Sequence, residues 1–227
     1  MWETGIAGIS VYCDSFSVVD ENMNRLLKID RLNNRYFAMR HGHSMANQQG
    51  IIVSHPDNGR DNYGLSELGR KQVRASLQQN NHLDAGTVIV TSDFKRARET
   101  AAIASEMLAC SASLCEESRL RERNFGELEL AADDSYNEVW QQDEVNPDSQ
   151  ARGVESVNQV MARVTSVVAD YEAQYFEATI LFVSHGDALQ ILQTAFARLD
   201  ASTHRQLEHL HTAEIRQLLM NGNYRLS

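Results

Sequence analysis

Tyr36-Phe37-Ala38-Met39-Arg40-His41-Gly42-His43-Ser44-Met45-Ala46-Asn47 starts as one kind of sequence and ends as another. Tyr36 to Met39 are mostly apolar and read as a short buried strand. A cation, an imidazole and a permissive glycine follow at once, and then Ser44 and Asn47, residues that start helices or donate hydrogen bonds. In an open α/β sheet, ligands bind beyond the carboxyl ends of the strands. A strand that closes on Arg40-His41-Gly42 is therefore a candidate edge of an active site, provided that other strands end the same way.

Two others do. Thr87-Val-Ile-Val-Thr91 reads as a second buried strand and runs into Ser92-Asp93-Phe-Lys-Arg96-Ala97-Arg98, the start of a helix with Ala97, Ala101, Ala104 and Leu108 inward. A helix N-terminus disfavours cations, so Arg96 and Arg98 are either solvated or placed there for an anion. Thr179-Ile-Leu-Phe-Val183 is the third strong strand, ending in Ser184-His185-Gly186-Asp187 before another amphipathic helix. The long helix between these strands opens at Gly153-Val154-Glu155-Ser156, and its apolar stripe from Val157 to Tyr175 is core. Strands alternate with helices, so the expected fold is α/β: a three-layer α/β/α sandwich with a largely parallel central sheet. A weak strand over Ala112 to Cys115 and closing strands over Ala213 to Met220 and Tyr224 to Leu226 complete it.

Length and composition fit this picture. The chain has 227 residues, 42% of them apolar and 23% charged, which suits one domain with a small appendage. Residues 1–34 form that appendage, with a strand in Ile9 to Val19 and a helix over Asp20 to Leu32, and residues 35–227 form the main domain. No apolar run is long enough to span a membrane. The first residues lack the pattern of a signal peptide, and Cys13, Cys110 and Cys115 are odd in number without ligand-like spacing. A reduced, cytoplasmic protein is expected. A formal charge of −10 argues against nucleic-acid or anionic-membrane partners, and the sequence leaves assembly into homo-oligomers open.

Two arginines and two histidines at one sheet edge suit a phosphate-sized anion. An imidazole can attack phosphorus, and a carboxylic acid can then protonate the leaving oxygen. Glu122, among Arg119, Arg121 and Arg123, is a candidate for that acid or a surface ion pair. Zinc on His41, His43 and His185 or His55 is the competing chemistry, and arginines beside the ligands oppose it. No metal and no cofactor is expected.

In order, Arg40-His41-Gly42-x-Ser44-x-x-Asn47, Leu65-Ser66-x-x-Gly69, Ser92-x-x-x-Arg96-Ala97-x-x-Thr100-Ala101, Leu120-x-Glu122-x-x-Phe125-Gly126 and Ser184-His185-Gly186 resemble the histidine phosphatase superfamily, in its phosphoglycerate mutase-like branch. The resemblance implies that His41 is the nucleophile, that Arg40, Arg96, His185 and Gly186 bind phosphate, that Asn47 hydrogen-bonds near the transferred group, and that Glu122 is the proton donor. His43 stands where relatives carry Glu or Gln, and residues before Arg35 have no counterpart. The implied activity is hydrolysis of a small phosphomonoester through a phosphohistidine. A phosphoglycerate mutase-type transferase and a silent phospho-ligand binding protein are the alternatives. A small insertion at about 124–152 bears on that choice. Its residues 124–151 hold eight acids and no Lys or Arg, whereas mutases of the family place cations there. If those acids face the cleft, a highly anionic substrate is repelled.

Overall fold

Tyr36 to Met39 and Thr179 to Val183 have no polar face to give to water, so the sheet they form is covered on both sides. The computed structural model describes residues 23–221. Within it β1 (Arg35–Arg40), β2 (Val88–Thr91), β3 (Cys115–Glu116), β4 (Thr179–Ser184) and β5 (Ile215–Leu218) lie in the order β3-β2-β4-β1-β5. All neighbours are parallel except β1 and β5. Alternate residues serve opposite faces. Tyr36, Ala38, Ile180 and Phe182 pack under α6 (Val157–Gln174) and α7 (Gly186–Phe196). Phe37, Met39, Leu181 and Val183 pack under α3 (Glu67–Gln79) and α4 (Lys95–Leu108). The three-layer sandwich follows. Each fully buried Ile or Phe in it contributes about 1.5–3 kcal/mol of hydrophobic stabilisation.

Register aligns the strand ends. Arg40 stands opposite Ser184, and Thr91 opposite Val183. His41, Ser92 and His185 therefore leave the sheet at one edge.

Elsewhere the structure departs from expectation in ways that packing explains. The third strand is Cys115–Glu116, and Ser111 to Ser113 before it are exposed. Asp20 to Leu32 is no helix in its described part. It holds one 3-10 turn, Arg25–Lys28, which Asn24 caps and which buries Leu26 while Leu27 is exposed. That segment packs on the main body, with Asn24 Nδ2 donating to the Ala195 carbonyl at 2.9 Å. Ile9 to Val19 and Tyr224 to Leu226 lie outside the described residues. The loop after α1 (Met45–Gln49) contains a single turn, α2 (Pro56–Gly59).

The insertion holds α5 (Tyr136–Val145). Its two ends meet. Gly126 has φ +53°, and a Cβ there would lie 2.2 Å from the Arg152 carbonyl oxygen. The Glu155 N–H donates to the Asn124 carbonyl at 2.8 Å beside that contact. Glu129 of the insertion fixes the loop before α2. Its Oε2 accepts from Ser54 N at 2.7 Å and His55 N at 2.9 Å, and its Oε1 from Asn58 Nδ2 at 2.9 Å.

Candidate active site

His41 sits just beyond β1 and is 3% exposed. Its Nδ1 lies 2.8 Å from the Gly42 carbonyl, which only accepts, so Nδ1 carries the proton. Its Nε2 lies 3.1 Å from Arg96 Nε, which only donates, so Nε2 holds a lone pair. Burial first, and then Arg96 and Arg40, hold the imidazole well below its ordinary pKa. The backbone on which it rides is clamped. A Cβ on Gly69 would lie 2.0 Å from the His43 carbonyl oxygen, and one on Gly42 would lie 2.7 Å from the Gly69 carbonyl oxygen. Ser66 caps α3 and also bonds to the His43 ring (Oγ to Nδ1, 2.8 Å) and to the His43 carbonyl. His43 thus holds the loop together rather than lining the pocket.

Arg96 is buried in the first turn of α4 and donates from Nη2 to the Val53 carbonyl at 2.8 Å, while its Nη1 has no hydrogen-bond partner. Burial lowers its pKa to about 10, so it stays charged near neutrality. Arg98 of the same turn projects to the exposed surface near Asp61 and Glu116 instead. Arg40 donates from Nη1 to the Leu210 carbonyl at 3.0 Å and leaves Nε unpaired. It runs past Gly186, where a Cβ would stand 3.4 Å from Arg40 Cζ. His185 is fully buried, with Nε2 2.8 Å from Ser92 Oγ and Nδ1 unpaired. Its ring meets that of His41 edge-on at 5.2 Å. Of the five buried side-chain atoms without a partner among the described residues, three belong to Arg40, Arg96 and His185. Such groups are costly unless something fills them. The first turns of α4 and α7, whose N-caps make no side-chain bond, open at the same edge and favour negative charge.

Glu122 lies beside this set. Its Oε1 accepts from the Arg123 N–H at 2.9 Å and the Ala188 N–H at 3.2 Å. Burial and then Asp187 push its pKa up, as a proton donor needs. Asn47 uses Oδ1 in the capping box of α1 with Ser44, and the residue lines the cleft. That cleft, about 450 Å³, opens above Arg40, Glu122 and Gly186. Tyr136, Asn137, Trp140 and Asp133 of the insertion form one wall, and Arg205 and His209 another.

Of the eight insertion acids, Asp133 is the one that lines the cleft. Asp143 is buried against Arg123, Glu129 is bound to the 54–58 loop, and Glu138 pairs with Arg152. The condition that the insertion's acids face the cleft together is therefore not met. Arg60 and Arg121 are likewise engaged, on Asp93. Asp187, Tyr136, Trp140, Arg205 and His209 were not singled out as site residues from the sequence. No local spacing announces them.

His185, like His41, is held well below its ordinary pKa by burial, then by Arg96 and His41. Below about pH 6.5 the unfolded chain binds protons that these buried rings refuse, so stability falls as pH falls through that range. Glu122, raised rather than lowered, works in the opposite sense. The melting temperature of the ligand-free protein should therefore climb between about pH 5 and 7 less steeply in His185→Gln than in wild type. Equal slopes would mean that His185 titrates normally.

The profile of the histidine phosphatase superfamily (branch 1) matches residues 36–225. The chain belongs to that superfamily. It is 31% identical over 176 residues to the probable phosphoglycerate mutase GpmB of Klebsiella pneumoniae subsp. pneumoniae, covering 75% of this chain and 78% of the relative. The relative from Salmonella paratyphi C is 30% identical over the same length and shares. Among solved structures, a mycobacterial glucosyl-3-phosphoglycerate phosphatase complexed with VO3 superposes with a TM-score of 0.67 and 25% identity, covering 85% of this chain and 96% of that one. Among the described residues no helix is long and apolar enough to cross a membrane.

Proposed function

We propose that this chain is a metal-independent phosphatase that hydrolyses a small phosphomonoester through a phosphohistidine on His41. One observation carries the reading: unpaired donors on Arg40, Arg96 and His185 lie around an imidazole whose unprotonated nitrogen is Nε2, held by Arg96 Nε. In this scheme His41 Nε2 attacks phosphorus, the P–O bond to the leaving group breaks, and the Glu122 proton passes to the departing oxygen. Arg40, Arg96 and the His185 Nδ1–H bind the phosphoryl oxygens, with the Ser92 hydroxyl donating to His185 Nε2 to fix that tautomer. The Gly42 carbonyl accepts from Nδ1 throughout and stabilises the cationic phosphoimidazole. Glu122, now a carboxylate, takes a proton from water, whose oxygen attacks phosphorus as the P–N bond breaks.

The test is hydrolysis of para-nitrophenyl phosphate in excess EDTA. Activity that survives the chelator supports the scheme. Activity lost to EDTA and restored by a divalent metal would overturn it.

The mutase reading draws on the similarity to probable phosphoglycerate mutases. Against it, the insertion's share of the cleft wall is Asp133, Tyr136, Asn137 and Trp140, with no cation to hold a second phosphate or a carboxylate. Arg205, packed against that wall, lies over the Trp140 ring at 3.7 Å and near Asp187 at 3.7 Å. A leaving group that is neutral, polar or cationic suits this wall. Asp133→Lys should raise kcat/KM for 3-phosphoglycerate relative to β-glycerophosphate about tenfold, or ~1.4 kcal/mol of screened charge interaction. An unchanged ratio would remove Asp133 from the substrate wall.

A further inference from the structure

Asp187 is a buried carboxylate for which the scheme above has no use. It follows His185-Gly186 in the first turn of α7 and is 4% exposed. Three donors from three segments converge on it. Trp140 Nε1 of α5 lies 3.1 Å from both of its oxygens, Arg123 Nη1 3.5 Å from Oδ2, and Arg205 Nη1 3.7 Å from Oδ1. Arg123 is in turn forked onto Asp143 of α5 at 2.6 and 2.8 Å. The insertion helix is thus tied to the core through Asp187 and Arg123.

These two residues also flank the proton donor. Glu122 Oε1 is held by two backbone N–H groups, those of Arg123 and Ala188. Arg123 owns the first N–H, and Asp187 directly precedes the second. The Arg123–Asp187 contact therefore closes a ring around Glu122: carboxyl oxygen, Arg123 backbone, guanidinium, Asp187, Ala188 N–H and back.

We propose that Asp187 is a positioning residue for Glu122, closing this ring and setting a fixed negative charge beside the proton donor, with Trp140 linking that charge to the seating of the insertion. The proposal rests on Glu122 being the proton donor. A negative neighbour disfavours ionisation of a carboxyl group, so Asp187 helps Glu122 keep its proton to higher pH. Arg96 of α4 and the two N–H groups act in the opposite sense. Arg163 of α6 bonds to the Glu122 carbonyl at 3.3 Å, and Arg40, Asp133, Tyr136, Arg205 and His209 are the other charged or titratable groups lining the cleft.

The experiment does not depend on turnover. The side-chain carboxyl of Glu122 is titrated by NMR in protein labelled with [13C]glutamate, its resonance identified by its loss in Glu122→Gln. Asp187→Asn should move the midpoint down by about one pH unit, because an isosteric neutral group replaces the charge. Trp140→Phe removes a donor from Asp187 but keeps a ring, and should move the midpoint up by several tenths of a unit. In activity terms, Glu122 must be protonated for the first step, so the alkaline limb of kcat/KM for phenyl phosphate should move with the midpoint: lower in Asp187→Asn, higher in Trp140→Phe. Midpoints that stay put, or move in the same direction in both variants, overturn the proposal. If Asp187→Asn does not fold, an unmoved midpoint in Trp140→Phe overturns it alone. Absence of phosphatase activity in wild type would count against the scheme above, and the NMR midpoints would still decide the role of Asp187.

Discussion

His41→Ala is expected to leave less than ~10⁻⁴ of the wild-type kcat on para-nitrophenyl phosphate, since nothing else in the pocket replaces the attacking lone pair. The buried donors around the ring are themselves hydrogen-bonded or cationic, and none is a nucleophile: Arg96 gives its N–H groups, and His185 engages Ser92 through Nε2. Loss of the ring unpairs Arg96 Nε, at a cost of about 1–3 kcal/mol of stability. The two α-helices that open on the site do not depend on it, so the variant should fold. The decisive measurement is covalent. Wild-type protein quenched during turnover of a 32P-labelled ester should carry label that is lost in acid and stable in base, and His41→Ala should carry none. Retained activity in the variant would move the nucleophile elsewhere. Binding of inorganic phosphate by both proteins with turnover by neither would instead favour a phospho-ligand binding protein.

Glu122→Gln should slow hydrolysis of an ester with a poor leaving group by roughly 10²–10⁴-fold. Glutamine keeps an oxygen for the N–H groups of Arg123 and Ala188, so the geometry survives while the transferable proton goes. The effect must depend on the leaving group. β-Glycerophosphate releases an alkoxide that needs the proton, whereas para-nitrophenolate departs with little help. The ratio of the two losses is therefore diagnostic, and a variant impaired equally on both has been damaged in some other way. An unimpaired rate on β-glycerophosphate would falsify the acid role.

The central layers were legible because their signal is local. Continuous apolar runs at 36–39, 87–91 and 179–183 announced buried parallel strands, and His41, Ser92 and His185 stand at their ends because register aligns Arg40 with Ser184 and Thr91 with Val183. Ser66 and Gly69 are visible as part of a motif, but the closeness of Gly69 to His43 is not, since a backbone contact across 26 residues leaves only a glycine as its trace. Charge was the least legible property. Composition shows eight acids in the insertion and leaves open which way they face. Asp143, Glu129 and Glu138 are each tied to a partner, two of them to groups far away in the chain, and sequence proximity carries no sign of that. Arg123 is fully buried on Asp143, a pairing that its position among Arg119 and Arg121 does not announce.

The contact of Gly126 with Arg152 and Gly153 has a consequence for descent with modification. Because the excursion leaves and rejoins the body of the domain at nearly one point, what lies between can vary so long as the ties of Glu129, Trp140 and Asp143 to the core are kept. Closing a longer or shorter excursion across the same gap changes its entropy only slowly with length. The segment is then an exchangeable cassette: lineages can rewrite the wall that meets the leaving group while the strand ends that meet phosphate stay as they are. Transplanting a relative's segment between Gly126 and Gly153 should carry that relative's preference with it.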